Sequence, residues 1–135
     1  MPLIEWNESM SVGVTSIDVQ HQELIAIIDE FATAYLDGRG REVLSDIFTR
    51  LIDYTRSHFQ IEENLMVQYG FEGYALHREE HRELVGKIVE LQERCDAGDP
   101  AVPQETFNLL RIWFMHHILE TDMLYRDFFR EQGVE

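Results

Sequence analysis

Apolar positions along this chain recur at alternating steps of three and four in four long stretches. The first runs through His21, Leu24, Ile28, Phe31 and Tyr35, the second through Leu44, Phe48, Leu51, Thr55, His58, Glu62, Leu65 and Tyr69. The third takes Tyr74, His77, His81, Leu84, Ile88, Leu91 and Cys95, and the fourth Phe107, Leu110, Phe114, His117, Thr121, Leu124 and Phe128. That spacing lines up one face of a helix and does not match the two-residue period of a strand. Glycines stand at the ends of the stretches, at Gly38, Gly70, Gly98 and Gly133, as they do beyond helix C-termini. Pro103 and Glu105 suit the start of the last one. The pattern therefore predicts helices over about residues 18–37, 41–69, 73–97 and 103–131, the fourth unbroken. Connections of a few residues force neighbouring helices to run antiparallel. The expected fold class is all-α, an up-down-up-down antiparallel four-helix bundle in a single domain spanning residues 1–135. Residues 1–17, with Trp6 and Val12-Gly13-Val14, read as an extended N-terminal arm along its outside.

Composition narrows the function classes. The chain has 135 residues, 44% of them hydrophobic, enough for one core and far from a disordered composition. Its 11 basic against 26 acidic residues give a net charge of −15, which argues against binding nucleic acid or anionic membranes; a monomer is expected. The basic residues, ten Arg and Lys87, are interspersed with acids along the chain and suggest no basic patch. No stretch approaches the roughly 20 apolar residues of a membrane helix, so no membrane insertion is expected. The N-terminus shows neither the basic nor the apolar region of a secretory signal, and a cytoplasmic location is the default expectation. The single cysteine, Cys95, reads as a small buried hydrophobe.

The seams carry polar residues where a core should be apolar, and such groups are costly to bury unless something binds them. His58 and Glu62 are four residues apart on one face, as are His77 and His81. His117 and Asp122 are five apart, roughly 140° around an α-helix, and are expected to flank a site instead of stacking on one line. Counted from one end of the bundle, His21, His58, Glu62, His77, His81, His117 and Asp122 lie within a window of about seven residues, roughly 10 Å of helix rise. Five imidazoles and two carboxylates without a thiolate suit a first-row metal such as iron, copper, nickel or zinc. The set is too large for one ion. With two octahedral ions, bridging carboxylates and one bridging oxide or hydroxide, it fills all but one coordination position. His116, rotated off the seam, is read as a structural or surface residue, and Glu63 as a solvated neighbour or a residue behind a ligand, not itself a ligand. The run His77-Arg78-Glu79-Glu80-His81 also fits an inverted zinc-peptidase pattern, which leaves His21, His58 and His117 unexplained.

The order His21, then His58-Phe59-Gln60-Ile61-Glu62-Glu63, then His77-x-x-x-His81, then Trp113-Phe114-Met115-His116-His117-Ile118 with Asp122 and Tyr125 resembles the hemerythrin family, most closely its single-domain bacterial members. The resemblance covers nearly the whole chain, including the entry Ile17-Asp18-x-Gln20-His21. It implies a non-haem di-iron cofactor, two iron ions bridged by oxo or hydroxo and by Glu62 and Asp122. On that reading His77, His81 and His117 hold one iron and His21 and His58 the other, which keeps the open position. It further implies reversible dioxygen binding for storage or delivery, with small anions such as azide taken up in the oxidised state. Phe59, Trp113, Phe114 and Ile118, with Leu24 from the first helix, correspond to the oxygen pocket, and Phe114 departs from the smaller aliphatic residue expected there. An oxygen or redox sensor acting through a partner, and an enzyme acting on peroxide or nitric oxide, are the alternative functions. Two carboxylates in place of the four of ferritin-like di-iron sites favour a carrier over an oxidase.

Overall fold

The computed structural model describes residues 5–134, apart from the side chains of Phe114, Met115, Leu119 and Glu120. Phe114 as a pocket residue, and residues 1–4 of the arm, thus fall outside the described residues. Three long helices, α1 (Thr15–Leu36), α2 (Gly40–Tyr69) and α3 (Tyr74–Asp96), lead into α4 (Val102–His116), a π-helical turn (His117–Thr121) and α5 (Met123–Glu131). The last three share one axis and form the fourth column of an antiparallel four-helix bundle. Gly70 shows how the connections stay short: its φ of 74° lets the chain leave α2 in the left-handed conformation that an L side chain resists.

The core falls into two apolar layers. Leu24, Ile28 and Phe31 of α1, Leu44, Phe48 and Leu51 of α2, Leu84 and Ile88 of α3 and Leu110 of α4 fill one. The other contains Ile17, Met66, Tyr125 and Phe129, together with Val12 and Val14. The arm is therefore more than a strip along the outside. It carries a short 3-10 helix at Glu8–Met10, and Val12 and Val14 plug the end of the bundle at 1% and 2% exposure. Between the layers, at the level of Thr55 to Glu62 on α2, the interior is polar.

The fourth column departs from the pattern read along the sequence. Leu124, assigned to the seam, is 71% exposed, whereas Tyr125 and Phe129 are fully buried. The π turn is the reason. The amide of Asp122 donates to the carbonyl of His117 at 2.7 Å, an i to i+5 bond that fits one extra residue into a turn. Every position beyond it is shifted by one, so the buried stripe passes from Leu124 and Phe128 to Tyr125 and Phe129. On α2 the seam likewise continues at the buried Met66 in preference to Leu65.

Candidate metal centre

The polar layer is where the seven seam residues meet. His21 comes from α1, His58 and Glu62 from successive turns of α2, His77 and His81 from successive turns of α3, and His117 and Asp122 from the two ends of the π turn. All seven are buried, none more than 3% exposed. The expectation that His117 and Asp122 stand apart on the helix is corrected here. The widened turn swings Asp122 back onto the face of His117, and Asp122 Oδ1 lies 2.9 Å from His117 Nε2.

Each carboxylate divides its two oxygens between two groups of histidines. Glu62 Oε1 is 2.5 Å from His58 Nε2 and 3.1 Å from His21 Nε2, while its Oε2 is 3.4 Å from His77 Nε2 and 3.6 Å from His81 Nε2. Asp122 repeats the division, with Oδ2 3.2 Å from His21 Nε2 and Oδ1 3.0 Å from His77 Nε2. Donor atoms of Glu62, His77, His81, His117 and Asp122 all lie within 4.8 Å of one another, as do those of His21, His58 and Glu62. These are two convergent sets that share a carboxylate.

The polar atoms at the centre are not satisfied by one another. Glu62 Oε2, both oxygens of Asp122 and His77 Nε2 are buried without a hydrogen-bond partner, although His77 and Asp122 are in contact. The Nε2 atoms of His81 and His117 face each other at 3.1 Å. Buried polar groups in folded proteins are ordinarily paired, so lone pairs that converge without partners mark a place for a cation. Imidazole and carboxylate donors without a thiolate fit iron.

Outward-facing nitrogens are held by a second ring of residues. His58 Nδ1 meets Gln20 Oε1 at 2.6 Å, His81 Nδ1 meets Glu63 Oε2 at 3.1 Å, and His117 Nδ1 meets Glu80 Oε1 at 2.8 Å. An acceptor at Nδ1 fixes the proton there and leaves the Nε2 lone pair turned inward, the tautomer a metal ligand needs. Glu80 also accepts from the hydroxyl of Thr121 at 3.0 Å. Glu80 is therefore committed to the outer nitrogen of His117, which removes it from the peptidase role its place in the His77–His81 run suggested. Of the two places expected for Glu63, solvent or the outer side of a ligand, the structure shows the second, since it bonds to His81 Nδ1. Gln20, Glu80 and Thr121 were not legible as site residues, because their partners come from other helices.

Residues 12–128 match the family model described as the hemerythrin HHE cation binding domain. The chain belongs to the hemerythrin family. It is 32% identical over 126 residues to the bacteriohemerythrin of Methylococcus capsulatus, covering 93% of this chain and 95% of that protein. It is 30% identical over 135 residues to the bacteriohemerythrin of Pseudomonas aeruginosa, covering all of this chain and 87% of that one. A crystal structure of wild-type hemerythrin superposes with a TM-score of 0.82 at 31% identity, covering 93% of this chain and 96% of the other.

Around this hemerythrin centre the walls are aromatic and aliphatic. Phe59 lies flat on His81, ring centroids 3.7 Å apart, and Trp113 lies flat on His117 at 4.3 Å. Leu24, Phe59 and Ile118 are buried in the apolar layer that borders the centre, and Trp113 packs against it. His116 is exposed and is not among the seven converging residues.

The metal-free site has a distinct electrostatic signature. Burial works against charge on His21 and His77, but the close, negatively charged oxygens of Asp122 and Glu62 outweigh it and push them up to about 10 and about 9. His81 moves down to about 3, where burial and the charges of His117 and His77 overcome the attraction of Glu62 and Asp122. Glu62 and Asp122 are held well below the usual carboxylate range; burial opposes this, and the surrounding histidines outweigh it. The stability that His21 and His77 contribute is complete below about 6.5, the value in the unfolded chain, and is lost as pH rises through 9 to 10. Below about 6.5 the unfolded chain protonates His81 and the folded chain does not, so stability falls again towards acid. Urea midpoints of the metal-free protein are therefore expected to peak near pH 6.5. A midpoint rising steadily from pH 6.5 to 10 would contradict these assignments.

Proposed function

We propose that the chain binds dioxygen reversibly at a pair of iron ions, for storage or delivery of oxygen. One hemerythrin-like domain spans it, and it is proposed to act as a cytoplasmic monomer. His77, His81 and His117 would hold one ion and His21 and His58 the other, with Glu62 and Asp122 bridging and an oxo or hydroxo group completing the bridge. The observation that carries this reading is the division of oxygens: each carboxylate turns one oxygen to the three-histidine set and the other towards His21. Iron bound there would supply the electrons that dioxygen accepts on binding and returns on release.

The chain's own residues account for reversibility. Gln20, Glu63 and Glu80 keep three imidazoles aimed inward. With one imidazole fewer, the set of His21 and His58 leaves room for an exogenous ligand. Leu24, Phe59 and Ile118, buried in the apolar layer that borders the centre, carry no proton donor that would assist O–O cleavage, so a carrier fits better than an enzyme. Phe114 is proposed as a further part of this pocket.

Oxygen titration of the reduced, iron-loaded protein, followed by its visible spectrum and by elemental analysis, tests the reading. The expected result is two iron atoms per chain, one dioxygen taken up per pair and released under vacuum, and azide competing for the same position after oxidation. One zinc and no iron in natively loaded protein would sink the di-iron reading, and rapid irreversible oxidation would sink the carrier reading.

A further inference from the structure

Arginines scattered along the sequence come together in the fold. Arg56 and Gln60 stand one turn apart on α2, and Arg78 and Arg82 one turn apart on α3. Together with Tyr74, Val85, Glu63, Phe59 and His81 they line a groove of about 660 Å³ between the two helices. Three of the chain's 11 basic residues thus face one cleft of a protein whose net charge is −15. This corrects the expectation that the basic residues form no patch, which held along the chain but not across helices.

The groove is poorly neutralised. Arg56 and Arg78 form no ion pair among the described residues, and Arg82 has only Glu79 at 3.6 Å, both well exposed. Glu63 is the one carboxylate in the lining, and it is already engaged by His81 Nδ1 at 3.1 Å. Glu63 feels the charge of Arg78 across the groove, yet among the described residues no carboxylate comes within ion-pair distance of Arg56 or Arg78. Guanidinium forks bind phosphate and carboxylate oxygens in pairs, and tyrosine hydroxyl and glutamine amide groups add neutral donors. The floor, formed by Phe59 and His81, is closed by their stacked rings. A cleft of this volume suits a small molecule. Beyond it, the acidic surface repels an extended polyanion.

We propose that this groove between α2 and α3 binds a small dianion bearing phosphate or carboxylate groups. The bound anion spans the guanidiniums of Arg56 and Arg78, with Arg82 at the rim. The site is separate from the coordination position for dioxygen, since its charged residues stand outside the seven that converge on the metals. It lies against their outer face through Glu63 and His81, so occupancy places negative charge beside the three-histidine set.

Equilibrium dialysis of labelled inorganic phosphate, and separately of succinate, against the metal-loaded protein at low ionic strength tests the proposal. One dianion bound per chain is expected, with the tighter of the two probes identifying the chemical class. In the double variant R56Q/R78Q, affinity should fall by at least about tenfold, the scale of losing charge-assisted hydrogen bonds. R56K/R78K keeps the charge but loses the forks and should bind with intermediate affinity, whereas R130Q, on α5, should bind like the parent. Retained helical circular dichroism checks that these surface variants fold. Binding of neither probe overturns the proposal. So does uptake unaffected by R56Q/R78Q, which would place the anion at the metals instead, or an equal loss in R130Q, which would mark a general charge effect.

Discussion

Glu62→Ala is expected to strip both metal ions from the protein together, with a loss of affinity beyond the roughly 10–100-fold typical of removing an outer partner of a ligand. The reason is the sharing of this side chain. Its Oε1 faces His58 and His21, and its Oε2 faces His77 and His81, so no arrangement of the remaining residues replaces it on either side. Glu63→Ala, one residue along α2, removes only the acceptor for His81 Nδ1 and should lose far less metal. Iron per chain, measured after gel filtration in variants matched by circular dichroism, separates the two. Loss of a single ion from Glu62→Ala would show that this carboxylate serves one set only, and equal losses from the two variants would show that the face assignment is wrong.

Removing the carboxylate of Glu80 should also be felt at the metals, although it touches none of the inward-facing atoms. It accepts from His117 Nδ1 at 2.8 Å and from Thr121 Oγ1 at 3.0 Å, tying α3 to both ends of the π turn. Histidine holds its carboxyl below the ordinary value, so it is ionised at neutral pH. An anionic acceptor behind an imidazole makes it a stronger and better-aimed donor. Glu80→Ala is expected to lower metal affinity about 10–100-fold. Glu80→Gln, which keeps an acceptor oxygen but not the charge, should recover part of it. A competition titration with a chelator of known affinity gives both values. If Glu80→Ala holds metal as tightly as the parent, the contact with His117 is structural only, and identical deficits in the two variants would assign the whole effect to charge.

Most of the bundle was legible because periodicity reports burial directly. The stripes on α1 and α3, from His21 to Phe31 and from His77 to Leu91, are buried as their spacing implies. Polar residues at such positions stood out against the cost of burying them, and the common height of all seven pointed to one cluster. What failed was register after His117. A stripe read with a uniform helical period carries through a π turn unaltered, and nothing in His117-Ile118-Leu119-Glu120-Thr121 announces that the turn will widen. Leu124 was therefore placed inside and is out, and Asp122 was placed to one side of His117 and faces it.

From the sequence alone follow the helical class, the punctuation of the four columns and the identity of the residues that interrupt the core, because each depends on local spacing and on the energetic penalty of a buried polar group. The tertiary structure decided which atom faces which. The division of Glu62 and Asp122 between two histidine sets, the hold of Glu80 on His117 and of Gln20 on His58, and the meeting of Arg56 with Arg78 all join residues from different helices. Such contacts depend on the rotation of each helix about its own axis, which a one-dimensional pattern leaves open and the packing of the bundle closes.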